Sequence, residues 1–460
     1  MQNATPPALP GYYFDPAKQK YFRIQKNHNA SQGSKYSEEN IQKEEQAAKR
    51  RKLQDKRKSF INRRVKRAVI LETPLVGSLL SRELGASLKT LCNTNPASAY
   101  TSALKRVDNP IRIYTVTPEP SAPHPIYISH LIQDPVSGAI LTGCSSSSGT
   151  RALISCVPQH GLQWDRYVNQ RIITCLPSPI SSISLLEKSR HLITTTHGDK
   201  TMATIHLHQL YREEEWNLHW PVIEEPVYTT LRLGPDLSIW CSKSSPFGPS
   251  FAVGTSYGCD VFTSSSDAWT RTMHQCYRTK TDHRAIEFLS PNIIIAGLLD
   301  GTLTLYDTRT GERRVQRLRH ASKVTHLAAI DEMRVVCAGL QNNLDMYDLR
   351  YTSTLGKWRS PSFAPQSSRP AISYEGYRNW TSETIGFDID PELGIVAAAT
   401  DDGKVQLFEL YTGKAVQSPL CRAHFDETVT CLKFTRGKQR AESRPTILLG
   451  EEDRVEAWSW

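Results

Sequence analysis

The sequence predicts an all-β fold, a seven-bladed β-propeller preceded by a basic, partly helical N-terminal arm. Two observations carry this. Residues 284–350 hold two tandem units of one pattern: an apolar strand, a polar turn, and an alternating strand ending in aromatic-Asp. The positive charge, in contrast, is concentrated ahead of any such unit.

The first unit runs through Ile293, Ile294, Ile295, Ala296 and Gly297, turns at Asp300-Gly301, and ends at Tyr306-Asp307. The second runs through Val335, Val336, Cys337, Ala338 and Gly339 and ends at Tyr347-Asp348. Tyr306 and Tyr347 lie 41 positions apart. That spacing falls in the WD-repeat period of about 40–45 residues, one blade per repeat.

A hydrophobic content of 39% and a charged content of 22% indicate a soluble chain with a core. There is no run of about 18 apolar residues, so no membrane span is expected. The N-terminus lacks an apolar signal region, so secretion is not expected. The ten cysteines are scattered, with no Cys-x-x-Cys pair. They read as reduced thiols of an intracellular protein. Of the net charge of +10, residues 41–70 carry +9 and residues 1–40 carry +2. The remainder is nearly neutral, so whole-chain pI describes the arm and not the body.

Taken in order, residues 1–36 read as an aromatic hairpin followed by a polar linker. Two aromatic β-type runs, 12–14 and 21–24, flank the turn signal Asp15-Pro16. A lone hairpin is marginal in water, so its aromatics must dock on the propeller or on a partner. Residues 37–70 read as a basic helical arm, with Ser37 as cap and Glu38 and Glu39 in the first turn. Its cluster Lys49, Arg50, Arg51 and Lys52 reads as a nuclear localisation signal. Direct nucleic-acid binding is not expected, because only Phe60 interleaves with the basic residues. Residues 71–110 read as short helices and linker, with Thr73-Pro74 as a helix start.

Residues 111–460 read as the propeller. Blade-like units lie near 126–158, 181–210 and 237–263, then come the tandem pair, then 394–409 and 428–458. The seventh unit offers three strands, so we expect 111–116 to pair with 454–458 as its fourth strand and close the ring. An open ring would leave unpaired edge groups. On this reading, residues 1–104 are dispensable for the fold. Two long polar stretches, 212–230 and 351–383, interrupt the pattern and carry Trp216, Trp220, Trp358, Phe363, Tyr374, Tyr377 and Trp380. Such aromatics either anchor interfaces or pack back onto the blades.

In a WD blade the aromatic at the third-strand end packs between blades, and the Asp joins local hydrogen bonds. His320 and His424 stand where the repeat's Gly-His usually lies. The repeat chemistry does not require the Arg two residues after each Asp. Arg309 and Arg350 therefore share one rim position in adjacent blades, and guanidinium suits interface contacts. The sixth unit lacks it, with Leu410-Tyr411 after Phe408-Glu409.

The doubled Tyr-Asp-x-Arg pattern resembles the box of WD-repeat substrate receptors for cullin-4 ubiquitin ligases. The opening Leu9-Pro10-Gly11-Tyr12-Tyr13-Phe14-Asp15-Pro16, with Lys20-Tyr21-Phe22-Arg23, resembles the fourth member of the DDB- and cullin-4-associated factors, the WD-repeat-twenty-one group. The resemblance implies that Arg309 and Arg350 contact the damaged-DNA-binding adaptor, which links the propeller to the cullin. Asp307 and Asp348, behind Tyr306 and Tyr347, would orient the turns. In both boxes Tyr stands where the family has Trp.

No Walker loop, dinucleotide motif, His-Glu-x-x-His or Gly-x-Ser-x-Gly occurs. No enzyme activity, cofactor, metal or membrane partner is expected. The leading expectation is a non-catalytic interaction propeller that recruits an unknown protein substrate to a cullin-4 ligase in the nucleus. The alternative is a nuclear scaffold in RNA processing or ribosome assembly.

Overall fold

The computed structural model describes residues 12–15, 20–23, 96–107, 110–113, 126–146, 149, 151–157, 169–198, 201–210, 223–233, 237–265, 268–276, 281–309, 316–351, 368–436 and 445–459. The chain forms two compact units, Met1–Leu80 and Ser81–Trp460. In the first, Tyr12–Asp15 pairs antiparallel with Lys20–Arg23, Phe14 opposite Tyr21. The pairing puts Tyr12, Tyr21 and Arg23 on one face of the hairpin. The basic cluster Lys49, Arg50, Arg51 and Lys52 and the helices read over 73–93 lie outside the described residues.

Among the described residues, the second unit contains seven antiparallel sheets. Six are four-stranded in chain order, inner strand to outer, and the seventh is completed by an earlier segment. The second strand of each blade lies between two neighbouring blades. It is therefore apolar on both faces rather than alternating. In Ile293–Leu298, Ile294 and Ala296 pack with Val261 and Ala252 of the third blade. Ile295, pointing the other way, packs with Val324 and Val335 of the fifth. Period-two geometry sends successive side chains to opposite neighbours, so one strand glues two interfaces. Small residues set the spacing. A Cβ on Gly297 would lie 2.4 Å from Val324 Cγ1 of the next blade.

The two long polar stretches each supply an outer strand. Ile223–Arg232 completes the second blade, and Ile372–Ser373 the fifth, with Ile372 opposite Met346. Tyr374 and Tyr377 pack back into the core between the fifth and sixth blades, and the Tyr374 hydroxyl donates to Leu410 O at 2.8 Å. Trp380 does the opposite and is 61% exposed. Trp216, Trp220, Trp358 and Phe363 lie outside the described residues.

Ring closure follows the expectation in direction but starts earlier. Ile111 sits opposite Val455 and Arg112 opposite Arg454. The same strand, Arg454–Ser459, is also paired by Lys105–Arg106, with Arg106 opposite Trp458. Val107 N donates to Ala457 O at 2.8 Å between the two pieces, and Ile113 N to Asp453 O at 2.7 Å. The propeller therefore begins before residue 111. It also includes the helix Pro96–Ala103, whose Ala97 and Tyr100, with Leu104 just beyond, pack with Leu420, Phe425, Leu449 and Trp458. The expectation that 1–104 is dispensable is corrected accordingly. Leu104 is fully buried, and removing it would open the core under the sixth and seventh blades.

The eight cysteines whose side chains are described are free thiols. Among the described residues, no helix is long and apolar enough to cross a membrane. No group of three His, Cys, Asp or Glu among them converges as a metal site.

Candidate functional site: two Asp-Arg clamps on one rim

The site is built on a backbone turn that recurs around the ring. In the second to sixth blades, a residue at or just past the end of the third strand donates its N–H to the turn between the first two strands. The bonds are Leu210 to Arg190 O, Ser264 to Pro249 O, Thr308 to Asn292 O, Leu349 to Met333 O and Leu410 to Gly394 O, at 2.7–2.9 Å. This fixes the position two residues past each aromatic on one rim, whatever side chain stands next.

In the fourth and fifth blades that rim carries Asp307 and Asp348, each followed two residues on by Arg. The geometry is the same in both. Asp307 Oδ1 accepts from the Arg309 backbone N–H at 3.0 Å and from Nε at 2.9 Å, and Oδ2 accepts from Nη2 at 2.8 Å. Asp348 holds Arg350 through the same three donors at 3.1, 2.9 and 2.6 Å. Each carboxylate thus grips its guanidinium as a fork, the geometry that makes such pairs directional. The Arg side chains are nonetheless 65% and 57% exposed. Arg309 holds the Asp307 carboxyl down to about 2, through its side chain first and its backbone N–H second. Asp348 is lowered by Arg350 in the same way. Both clamps stay ionised at any physiological pH.

Beneath each clamp the preceding tyrosine anchors the strand end. Tyr306 and Tyr347 are 1% exposed, packed between neighbouring blades. The Tyr347 hydroxyl lies 3.0 Å from His320 Nδ1. Burial lowers the His320 pKa to about 4, so the ring is neutral and its 3.6 Å approach to Asp345 is no pair of full charges. Tyr306 has the equivalent partner in His283, at 2.8 Å from Nε2. Sequence reasoning missed His283. The signal was a histidine 23 residues before the tyrosine, against 27 between His320 and Tyr347. His424 does not fill the expected role. It is exposed, and its Nδ1 lies 2.9 Å from the neighbouring Phe425 O.

The ring of seven four-stranded blades, with buried His–Tyr pairs under aromatic-Asp strand ends, defines a WD-repeat β-propeller protein. A 130-residue segment, 28% of this chain, is 26% identical to WD repeat-containing protein 21 of Schizosaccharomyces pombe and spans 29% of that relative's length. The β-propeller domain of Myceliophteria thermophila Cps50 (Swd1) superposes with a TM-score of 0.50 at 14% identity, over 77% of this chain and 100% of that one. The WD40 β-propeller domain of Doa1 covers 74% of this chain and 94% of its own, with a TM-score of 0.49 and 14% identity. At such identity the likeness concerns the fold alone. No family model matches the chain.

Proposed function

We propose that the protein is the substrate-recruiting subunit of a cullin-4 ubiquitin ligase, bound through the damaged-DNA-binding adaptor at the Arg309–Arg350 rim. The observation that carries this reading is the duplicated clamp. Two adjacent blades hold an exposed guanidinium in one fixed orientation, whereas the fold needs no Arg there. Holding a side chain in its binding conformation removes much of the ordering cost of association. In both clamps Asp takes Nε and Nη2, which holds the plane of an exposed guanidinium fixed on the rim. The propeller body leaves its other surfaces for a protein substrate.

The test is co-purification with the adaptor. The Arg309→Ala, Arg350→Ala double variant should keep its Tm and lose the adaptor. The Lys versions of both should also fail, because an ammonium retains the charge but not the fork. Undiminished adaptor binding by a folded double variant would sink the reading. Recovery of ribonucleoprotein in place of the adaptor would favour the second reading, a nuclear scaffold in RNA processing or ribosome assembly. The charge of the 41–70 arm, +9, motivates that alternative.

A further inference from the structure

The rim turn occurs a third time beside the two clamps, in the sixth blade. Glu409 stands opposite Ile395 as Asp307 stands opposite Ile293 and Asp348 opposite Arg334. Leu410 donates to Gly394 O as Thr308 and Leu349 donate to their turns. Tyr411 therefore occupies the position of Arg309 and Arg350. Glu409 makes no clamp there, since its carboxylate accepts from the Thr412 hydroxyl. Tyr411 is 44% exposed. The Arg334 guanidinium, fixed by Asp331 at 2.6 Å, lies 5.3 Å from its ring centroid and spans the fifth and sixth blades. Such a cation–aromatic contact orients a ring without burying it. Next to Arg334, Met333 supplies the turn carbonyl for Leu349, yet its own side chain is 45% exposed. Two large apolar side chains thus stand in solvent on this one rim, beside the fifth-blade clamp.

We propose that Tyr411 and Met333 complete the docking surface of the two clamps, so that one adaptor surface spans three blades. This rests on reading the clamps as the adaptor face. The occupant's chemistry follows from the residues. The three rim guanidiniums, Arg309, Arg350 and Arg334, are each compensated by an Asp at 2.6–2.8 Å. A surface of compensated pairs has no excess charge to attract an acidic partner from afar. It offers directional N–H donors around an apolar centre. The matching adaptor surface presents carbonyl or carboxylate acceptors at both guanidiniums and a cleft for the Tyr411 ring and the Met333 thioether. Aromatic anchors between polar contacts are the usual composition of binding hot spots.

Full-length protein titrated with purified adaptor tests this. Tyr411→Ala and Met333→Ser should each weaken binding about tenfold at unchanged Tm, within the range of hot-spot truncations. Tyr411→Phe, which keeps the ring, should bind within about twofold of the parent. Raising salt from low to high should change affinity by only a few-fold, because compensated pairs release little on docking. A contact made through the basic arm would instead fall by orders of magnitude. Normal binding by Tyr411→Ala and Met333→Ser, with loss in the Arg309→Ala, Arg350→Ala variant, overturns this inference and leaves the clamps as the adaptor site. Normal binding by the double Arg variant as well removes both.

Discussion

The Tyr306 hydroxyl lies 2.8 Å from His283 Nε2, with His283 fully buried. The fifth blade repeats the contact through the other ring nitrogen, His320 Nδ1 to the Tyr347 hydroxyl at 3.0 Å. Each pair ties the third strand of a blade to the start of its inner side. Each also sits one residue below a clamp, so it positions the rim. Tyr306→Phe and Tyr347→Phe keep the packing and remove the bond, exposing a buried imidazole nitrogen to nothing. Each should cost about 1–3 kcal/mol, the penalty of an unmatched buried polar group. Urea denaturation should show a lower midpoint at an unchanged m-value. An unshifted midpoint would mean that the contact is incidental.

The same histidines set an acid limit. Burial lowers His283 and His320 to about 4 from an ordinary value near 6.5. His130, His208 and His326 are lowered to about 4 as well, again chiefly by burial. Below pH 6.5 the unfolded chain takes up protons that the folded chain refuses. Their contribution is therefore complete above about pH 6.5 and declines as pH falls towards 4. The Tm should drop steadily across that window. His283→Gln should flatten part of the slope. The clamps behave differently, since Asp307 at about 2 keeps its charge throughout the window. Adaptor affinity, measured on protein still folded, should be flat from pH 8 to 5.5.

Ring closure gives a stability test remote from the rim. Leu104→Ala removes a fully buried side chain from the core beneath Trp458. Such truncations cost about 2–5 kcal/mol. Val107→Pro deletes the donor to Ala457 O, in the middle of the closing segment. Both variants should melt lower, and hydrogen exchange should rise first along Arg454–Ser459. A Leu104→Ala protein with parental Tm would show that the closing segment is held by other contacts.

Import is a separate matter. Replacing Lys49, Arg50, Arg51 and Lys52 by Ala should leave the Tm unchanged and hold the protein in the cytoplasm. Nuclear fluorescence of that tagged variant would assign entry to another segment or to a partner.

Much of the propeller could be read from the chain because strand chemistry repeats. The apolar runs around Ile294, Val336 and Val396 are the second strands, and the alternating runs after them are the third. The closing strand was half visible. Ile111 and Ile113 look like a strand because they are apolar and buried. Lys105 and Arg106 do not, because an outermost strand faces solvent and its pairing is carried by backbone alone. The rim position of Arg309 and Arg350 followed from spacing. That Asp307 and Asp348 grip those arginines, and do not merely shape the turn, needed side-chain geometry. Tyr411 was noted only as the absence of an Arg, since one-dimensional spacing cannot show Arg334 reaching across from another blade.

Closing the ring with residues from opposite ends of the fold also sets an order of events. Arg106 and Glu456, paired in the seventh blade, are 350 residues apart in the chain. At about 5–20 residues per second, the ribosome leaves the first of them waiting roughly 20–70 s for the second. Throughout that interval the inner strand of the first blade also lacks its last neighbour, for Ile128 N donates to Glu452 O. Six blades can stack as they emerge, but the assembly stays an open arc with two sticky edges until the final strand is made. A nascent chain of this protein therefore carries unpaired strand edges until Arg454–Ser459 is made, when most of the propeller core is already built.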